Sequence, residues 1–247
     1  MIALDNGNGK VRKVDMATRA VTTLLTGMDN SMSCTFAQNS GGASFYIVRQ
    51  KRHGFMVRWA SLVMALASPL VKPVTSRANA DVRCMCLCIR IHVPQGVMKV
   101  DSSSGATTVI AGANVQARTD GVGAAAHFER PYGIAITPDS TTAYIVTYGT
   151  QSLRKINLAT NQVTTVLSGT LKQFACSVAI TPDGTTLIVG TCGTANLQAI
   201  DLTTGSYGQT TFASINVEID SASLAITPDG STIFVCDHGA PKIHMVV

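Results

Sequence analysis

The chain has 247 residues, a formal net charge of +5 and 13% charged side chains, against the roughly 25% usual in soluble domains. That length suits one β-rich domain or two smaller ones, and the shortage of charge argues against long solvent-exposed helices. Residues 49–95 hold eight Lys/Arg and one acid, Asp81, a balance of +7, while the rest of the chain is −2. The basic character thus belongs to one segment, which excludes a polyelectrolyte reading of the whole protein.

Seven cysteines are an odd number without regular spacing, so no disulfide framework follows. No run reaches the roughly 18 apolar residues of a spanning helix, and MIALDNGNGK lacks the basic-then-apolar order of a secretory leader. The compartment is left open.

Two phrases recur along the chain. RKVDMATRAVTTLLTG at 12–27 returns as RKINLATNQVTTVLSG at 154–169, with nine of sixteen positions identical. IAITPDSTTAYIV at 134–146 returns as VAITPDGTTLIVG at 178–190 and LAITPDGSTIFVC at 224–236. The prolines Pro138, Pro182 and Pro228 lie 44 and 46 residues apart, the length of one four-stranded propeller blade. A weaker copy, TFAQNSGGASFYIV at 35–48, aligns with Cys34 under Cys176 and Gly42 under Gly184.

Each unit reads as four short strands. An apolar run such as Ile134–Ile136 is strand one, and Thr-Pro-Asp-Gly makes the corner. There Pro fixes φ, Asp139, Asp183 or Asp229 bonds back to the backbone, and Gly184 or Gly230 supplies a positive φ. Tyr144–Val146 is strand two, Leu153–Asn157 strand three, and Val163–Leu167 an outer strand four. No unit can bury both faces of its small sheet alone, so units must stack.

In chain order, residues 1–48 supply strands two to four of a first blade and the first half of a second. Residues 96–247 supply the rest, from the second half of blade two to a partial blade five. The expected total is eighteen strands, or four and a half blades. Between them, 49–95 carries no repeat signature and is expected to lack regular order or to be partly helical. Its Met56–Asp81 stretch imitates a signal peptide with an A-x-A site, and reads as an amphipathic or buried helix, or as translated non-coding sequence; the last is favoured.

The run DGVGAAAHFERPYGIAITPDSTTAYIV followed by SLRKINLATNQVTTVLSG, residues 120–169, resembles the NHL repeat. The matching positions are Asp120, Gly121, Gly123, Ala126 (one place late), Phe128, Pro131, Gly133 and Asp139. The resemblance covers about 200 residues, with the full pattern only in blade three. It implies an all-β, NHL-like β-propeller with four-stranded blades of about 44 residues, incomplete beside the usual six-bladed ring. It further implies a non-catalytic scaffold whose loops at one end hold a protein or small ligand.

The alternative is a propeller enzyme of lyase or lactonase-like type with a metal at the central channel. That chemistry needs convergent carboxylates or histidines. Here the acids recur as turn residues (Asp139, Asp183, Asp229) or strand-end residues (Asp15, Asp101, Asp201), so no cofactor or catalytic residue is assigned. Asp120-Gly121-Val122-Gly123 lies between strands four and one rather than between a strand and a helix, so it reads as a structural turn, not a phosphate or calcium loop. Cys84, Cys86 and Cys88 with His92 could hold a soft metal, but a chance cluster is favoured. Cys34, Cys176 and Cys236 fall at small or apolar repeat positions and read as core. His127 is expected to be exposed. Outside 49–95 no basic stripe recurs with the period, which argues against nucleic acid as partner.

Overall fold

The computed structural model describes residues 2–5, 10–15, 17–26, 31–36, 44–49, 95–101, 103–113, 115, 117–148, 150–171, 174–191, 196–214, 223–237 and 242–247. All regular structure among them is strand, apart from one 3-10 turn at Gly123–Ala125. Five antiparallel sheets follow one another along the chain.

Blade 1 is β1 (Ile2–Asp5), β2 (Lys10–Val14) and β3 (Val21–Thr26). Blade 2 is β4 (Ser31–Phe36), β5 (Ser44–Arg49), β6 (Gln95–Asp101) and β7 (Thr107–Ala113). Blade 3 is β9 (Pro131–Ile136), β10 (Thr142–Thr147), β11 (Ser152–Asn157) and β12 (Gln162–Leu167). The two-residue strand β8 (Gly121–Val122) joins its outer edge. Blade 4 is β13 (Ala175–Ile180), β14 (Thr186–Thr191), β15 (Asn196–Asp201) and β16 (Gln209–Ser214). Blade 5 is β17 (Ser223–Ile226), β18 (Ile233–Asp237) and β19 (Lys242–Val246). Apart from β8, these are the eighteen expected strands.

Strand alternation explains the stacking. Along β10, Ala143 and Ile145 point to one side of the sheet and Tyr144 and Val146 to the other, and all four are buried. The first side meets Val97 and Ala111 of blade 2; the second meets Val178, Leu187 and Val189 of blade 4. Blade 4 in turn offers Ile188, Leu197 and Ala199 to Leu224, Ile233 and Val235 of blade 5. A sheet buried on both faces cannot use the polar/apolar alternation of a surface sheet, so these strands read as near-continuous apolar runs. The first strands β4, β9, β13 and β17 lie side by side and form the inner edge of the stack.

The three Thr-Pro-Asp corners have one geometry. Thr137, Thr181 and Thr227 each donate a hydroxyl to the Asp two residues on and accept the amide of Thr142, Thr186 or Thr232. Gly184 and Gly230 both sit at φ +74°, and Ser140 takes the same left-handed place at +60°. The strand three-to-four turns repeat as well. Asp15, Asp101, Asn157 and Asp201 each accept the amide two residues ahead. Four residues after each stands a residue of positive φ: Arg19, Gly105, Asn161 and Gly205.

One expectation is corrected. Cys34 pairs with Ile47, which pairs with Met98; Val178 holds that place in blade 4, through Val189 and Gln198. Cys34 is therefore the counterpart of Val178, two residues from Cys176, because the blade 2 corner is longer than the Thr-Pro-Asp ones. Cys176 is a core residue as expected, 1% exposed, and is disulfide-bonded as well.

Of the 49–95 segment, only Arg49 and Gln95 are described, as the ends of β5 and β6; 50–94 lies outside the described residues, with the Met56–Asp81 stretch and the Cys84–Cys88 cluster. Arg49 faces Gly96 across an antiparallel pair, so this segment leaves and re-enters at one hairpin end.

Candidate functional site

An antiparallel four-strand meander has two unlike ends. One carries the strand one-to-two corners and strand three-to-four turns. The other carries the strand two-to-three loops and the connectors between blades. The ends of β5 and β6 that flank 50–94, at Arg49 and Gln95, lie at this connector end.

The turn end is chemically committed. Asp139 accepts from Thr137 Oγ1 (2.6 Å), Thr141 N–H (3.0 Å) and Thr141 Oγ1 (2.9 Å), and Asp183 repeats the pattern with Thr181 and Thr185. Donors of this kind stabilise the anion. The hydroxyls of Thr137 and Thr181 hold Asp139 and Asp183 below the usual carboxylate range, and that of Thr227 brings Asp229 down to about 2. Side-chain and amide donors lower Asp15, Asp101 and Asp201 likewise. These carboxylates stay ionised at neutral pH and are occupied with turn geometry, not poised as acids or bases. Among the described residues, no three His, Cys, Asp or Glu side chains lie together in a way that could hold a metal.

The connector end is irregular. From blade 2 to blade 3 the chain runs through Thr119–Arg130, and Thr119 bridges His127. Gly121 and Val122 pair with Val163 and Gln162 as β8, and Gly123 turns the chain at φ +58°. Ala126 and Phe128 are fully buried, Pro131 opens β9, and Gly133 passes 3.0 Å, measured from where a Cβ would stand, from the Cys176 carbonyl of blade 4. His127, expected to be exposed, is half-buried and hydrogen-bonded to Thr119 Oγ1.

One buried cation ties this connector down. Arg154 of β11 is 1% exposed and alternates onto the same side as Ile156, toward blade 2. Its Nη1 donates to the His127 carbonyl (3.0 Å), and its Nη2 donates to the Thr119 carbonyl (2.9 Å) and Asp120 Oδ1 (2.8 Å). Its guanidinium lies 5.1 Å from the Phe128 ring centroid, a cation–π distance. Asp120 also accepts the Thr165 amide (2.9 Å) and hydroxyl (2.8 Å). Burial pushes the Asp120 pKa up, but the Thr165 donors and the Arg154 charge outweigh it and hold Asp120 below the usual range. The Asp-Gly-x-Gly run thus acts as a latch across strands three and four.

Beyond the latch, three rings from three segments meet. Tyr132 of β9 lies against Tyr148 after β10, with centroids 5.4 Å apart. Tyr148 lies against Phe174, the last residue before β13, at 5.3 Å. Phe174 is 41% exposed and left-handed at φ +62°, and Arg130, at the same place before β9, is left-handed at +50°. A bulky residue in that region costs roughly 1–2 kcal/mol and persists where surroundings hold it.

Hydrogen bonds connect the rings to a buried amide. The Tyr148 amide donates to the Arg130 carbonyl (2.9 Å), and the Arg130 amide donates to Gln95 Oε1 (3.3 Å). Gln95 is 1% exposed, and its Nε2 has no partner. The Ser177 hydroxyl, in the half of β13 nearer this end, is buried and unpartnered too. Orphaned polar groups of this kind are rare in native interiors and mark places where water or a ligand group completes the bonding.

Sequence reading placed the repeat residues but not this cluster. Its signal was present as departures from the repeat: Tyr148 opens a loop that varies between blades, and Phe174 and Arg130 are neither Gly nor Asn.

No protein family and no curated protein matches the sequence. Solved structures match across nearly all of it. TolB from Acinetobacter baumannii is similar at a TM-score of 0.56 and 14% identity, over 99% of this chain and 51% of its own. An auxiliary nutrient binding protein from Bacteroides ovatus is similar at 0.60 and 11%, over 98% of this chain and 50% of its own. A nidogen/laminin complex is similar at 0.58 and 10%, over 96% and 68%. The chain spans about half the length of the first two. At such identities the likeness speaks for fold alone, and with five stacked antiparallel sheets it makes this chain an all-β protein of β-propeller fold.

Proposed function

We propose that the chain is an NHL-like, non-catalytic propeller scaffold that binds a protein segment or small ligand at its connector end. The observation that carries the reading is the contrast between ends. The turn end spends its polar groups on its own backbone, whereas the connector end gathers Tyr132, Tyr148 and Phe174 beside the unpartnered Gln95 amide. Aromatic faces flanked by few polar groups suit a ligand that is partly apolar with one or two hydrogen-bonding atoms. The described residues include no helix long and apolar enough to cross a membrane.

The test is a peptide and oligosaccharide array probed with the full chain and with Tyr148→Ala and Phe174→Ala. Ligands found with the parent chain should lose at least about tenfold in affinity in each variant, as for an aromatic anchor of a binding site. Binding that survives both replacements, or a stoichiometric metal ion in the purified protein, overturns the reading.

The domain division proposed with it is 1–48 and 96–247 as propeller and 49–95 as a loop excursion. The equivalent loops join register partners through four residues, as between Thr147 and Ser152 or Asp237 and Lys242. Replacing 50–94 by the three residues 148–150, which with Gln95 makes four between the partners Arg49 and Gly96, should leave strand content and cooperative melting intact, read by circular dichroism and thermal unfolding. A clear drop in melting temperature would mean that the segment packs as part of the fold.

A further inference from the structure

Cys176 of β13 is disulfide-bonded and 1% exposed, and its sulfur lies 3.6 Å from the Gly190 carbonyl oxygen of β14. Comparing blades identifies the partner. In blade 3 the register sets Pro131 against Thr147 and Gly133 against Val146, with Tyr132 as the extra residue between them. In blade 4 it sets Ala175 against Thr191 and Ser177 against Gly190, with Cys176 as the extra residue. Cys176 therefore holds the place of Tyr132. Thr191 holds the place of Thr147, so the next residue in the chain, Cys192, corresponds to Tyr148. In blade 3 the side chains at these two places touch, for the Tyr132 and Tyr148 ring centroids are 5.4 Å apart.

We propose that Cys176 is bonded to Cys192, which itself lies outside the described residues, and that this bond makes the connector end responsive to redox state. It is the covalent counterpart, in blade 4, of the Tyr132–Tyr148 contact in blade 3. A disulfide requires Cα atoms roughly 4.4–6.8 Å apart, a spacing that neighbours on paired antiparallel strands meet. Cys34 belongs to blade 2, with blade 3 between it and Cys176. Cys236 belongs to the second strand of blade 5, whereas the first, β17, is the one beside β13.

The bond reaches the aromatic cluster through the chain. Phe174 stands two residues before Cys176, left-handed at φ +62°, with its ring 5.3 Å from that of Tyr148. A strained residue keeps such a conformation only where its surroundings hold it, and the bond anchors the backbone directly after it. Its formation takes two electrons and two protons from the thiols of Cys176 and Cys192 and passes them, by exchange, to a disulfide oxidant. A dithiol returns them and leaves two free thiols. The ring stack is thus fixed in the oxidised chain and loosened in the reduced one. A bond of this kind belongs to an oxidising compartment.

The experiment needs no ligand, so its outcome is separate from that of the binding array. The full chain, equilibrated with oxidised and reduced glutathione, is alkylated, cut before its aspartates and mapped by mass spectrometry. Cuts at Asp139, Asp183 and Asp201 put Cys176 on 139–182 and Cys192 on 183–200; the other five cysteines fall on other peptides. These two peptides should appear linked and should part when the digest is reduced. Cys176 alkylated as a thiol, or linked to any other peptide, overturns the proposal. Cys192→Ser should lower the melting temperature by about 5–10 °C, the scale for opening a loop of this length. It should also speed amide exchange over 174–180 at least about tenfold while leaving β10 unchanged. The parent chain refolded with dithiothreitol should match the variant. Parent-like melting and exchange in Cys192→Ser would mean that no bond there holds Phe174, and overturns the redox dependence.

Discussion

Replacing Arg154 by Ala is expected to cost about 3 kcal/mol of stability, the scale for removing one partner of a buried, hydrogen-bonded ion pair. In a chain of this size that corresponds to a fall in melting temperature of about 10 °C. Three things are lost together: the bonds to the Thr119 and His127 carbonyls, the pair with Asp120, and packing on Phe128. The figure lies at the low end of the range because the Asp120 side chain is 45% exposed, so its orphaned charge can reach water. Arg154→Lys should fall between parent and Ala variant, since an ammonium cannot span three acceptors set out for a planar fork. The pH dependence carries a distinct signature. Asp120 has a folded pKa below its unfolded value, so its contribution is fully present above about pH 4 and is lost as pH falls through the folded value. The difference between parent and Arg154→Ala, read from urea melts, should therefore shrink in acid. A difference that stays constant down to the acid limit would show that the pair contributes nothing and that the two carbonyl bonds and packing on Phe128 are the whole effect.

The latch marks where sequence reading succeeds and where it stops. The corners at Pro138, Pro182 and Pro228 were legible because everything that determines them is local: the Thr hydroxyl, the Asp oxygens and the left-handed residue lie within six positions. Strand order followed from a period repeated often enough to read. Asp120 was recognised as part of a connecting turn, but not as the partner of Arg154, because the two are 34 residues apart. A hint existed in the alternation. Arg154 falls on the same side of β11 as Ile156, and a cation on a core-facing strand position must find acceptors. The aromatic cluster was illegible for a different reason. Tyr132, Tyr148 and Phe174 come from three segments, and only the closing of blade 3 against blade 4 brings them together. What the repeat specifies could be read from one blade; what makes the connector end particular is written where the blades differ.

That difference is sharpest at a pair of glycines beside Gln95, where Gly112→Ala is expected to destabilise by about 3 kcal/mol or more. Gly96 and Gly112 are register partners where β6 begins. A Cβ on Gly112 would stand 2.2 Å from the Gln95 carbonyl oxygen and 2.5 Å from the Gly96 Cα, and these are backbone atoms that cannot rotate away. Its φ of +103° adds strain of a separate kind. Gly169→Ala separates the two causes. Gly169 is also left-handed, at +70°, but nothing lies within 4 Å of its Cβ site, so that change should cost only about 1 kcal/mol. A clash at Gly112 can be relieved only by parting β6 from β7, which moves Gln95 away from the Arg130 amide it accepts and loosens the chain leading to Tyr148. Gly112→Ala should therefore weaken ligand binding at the connector end as well as stability, while Gly169→Ala lowers stability slightly and leaves binding alone. Equal stability losses in the two variants, in urea unfolding under identical conditions, would mean that β6 and β7 do not approach this closely. The Gln95 amide would then be free to move, and its place in the binding end would lose its physical basis.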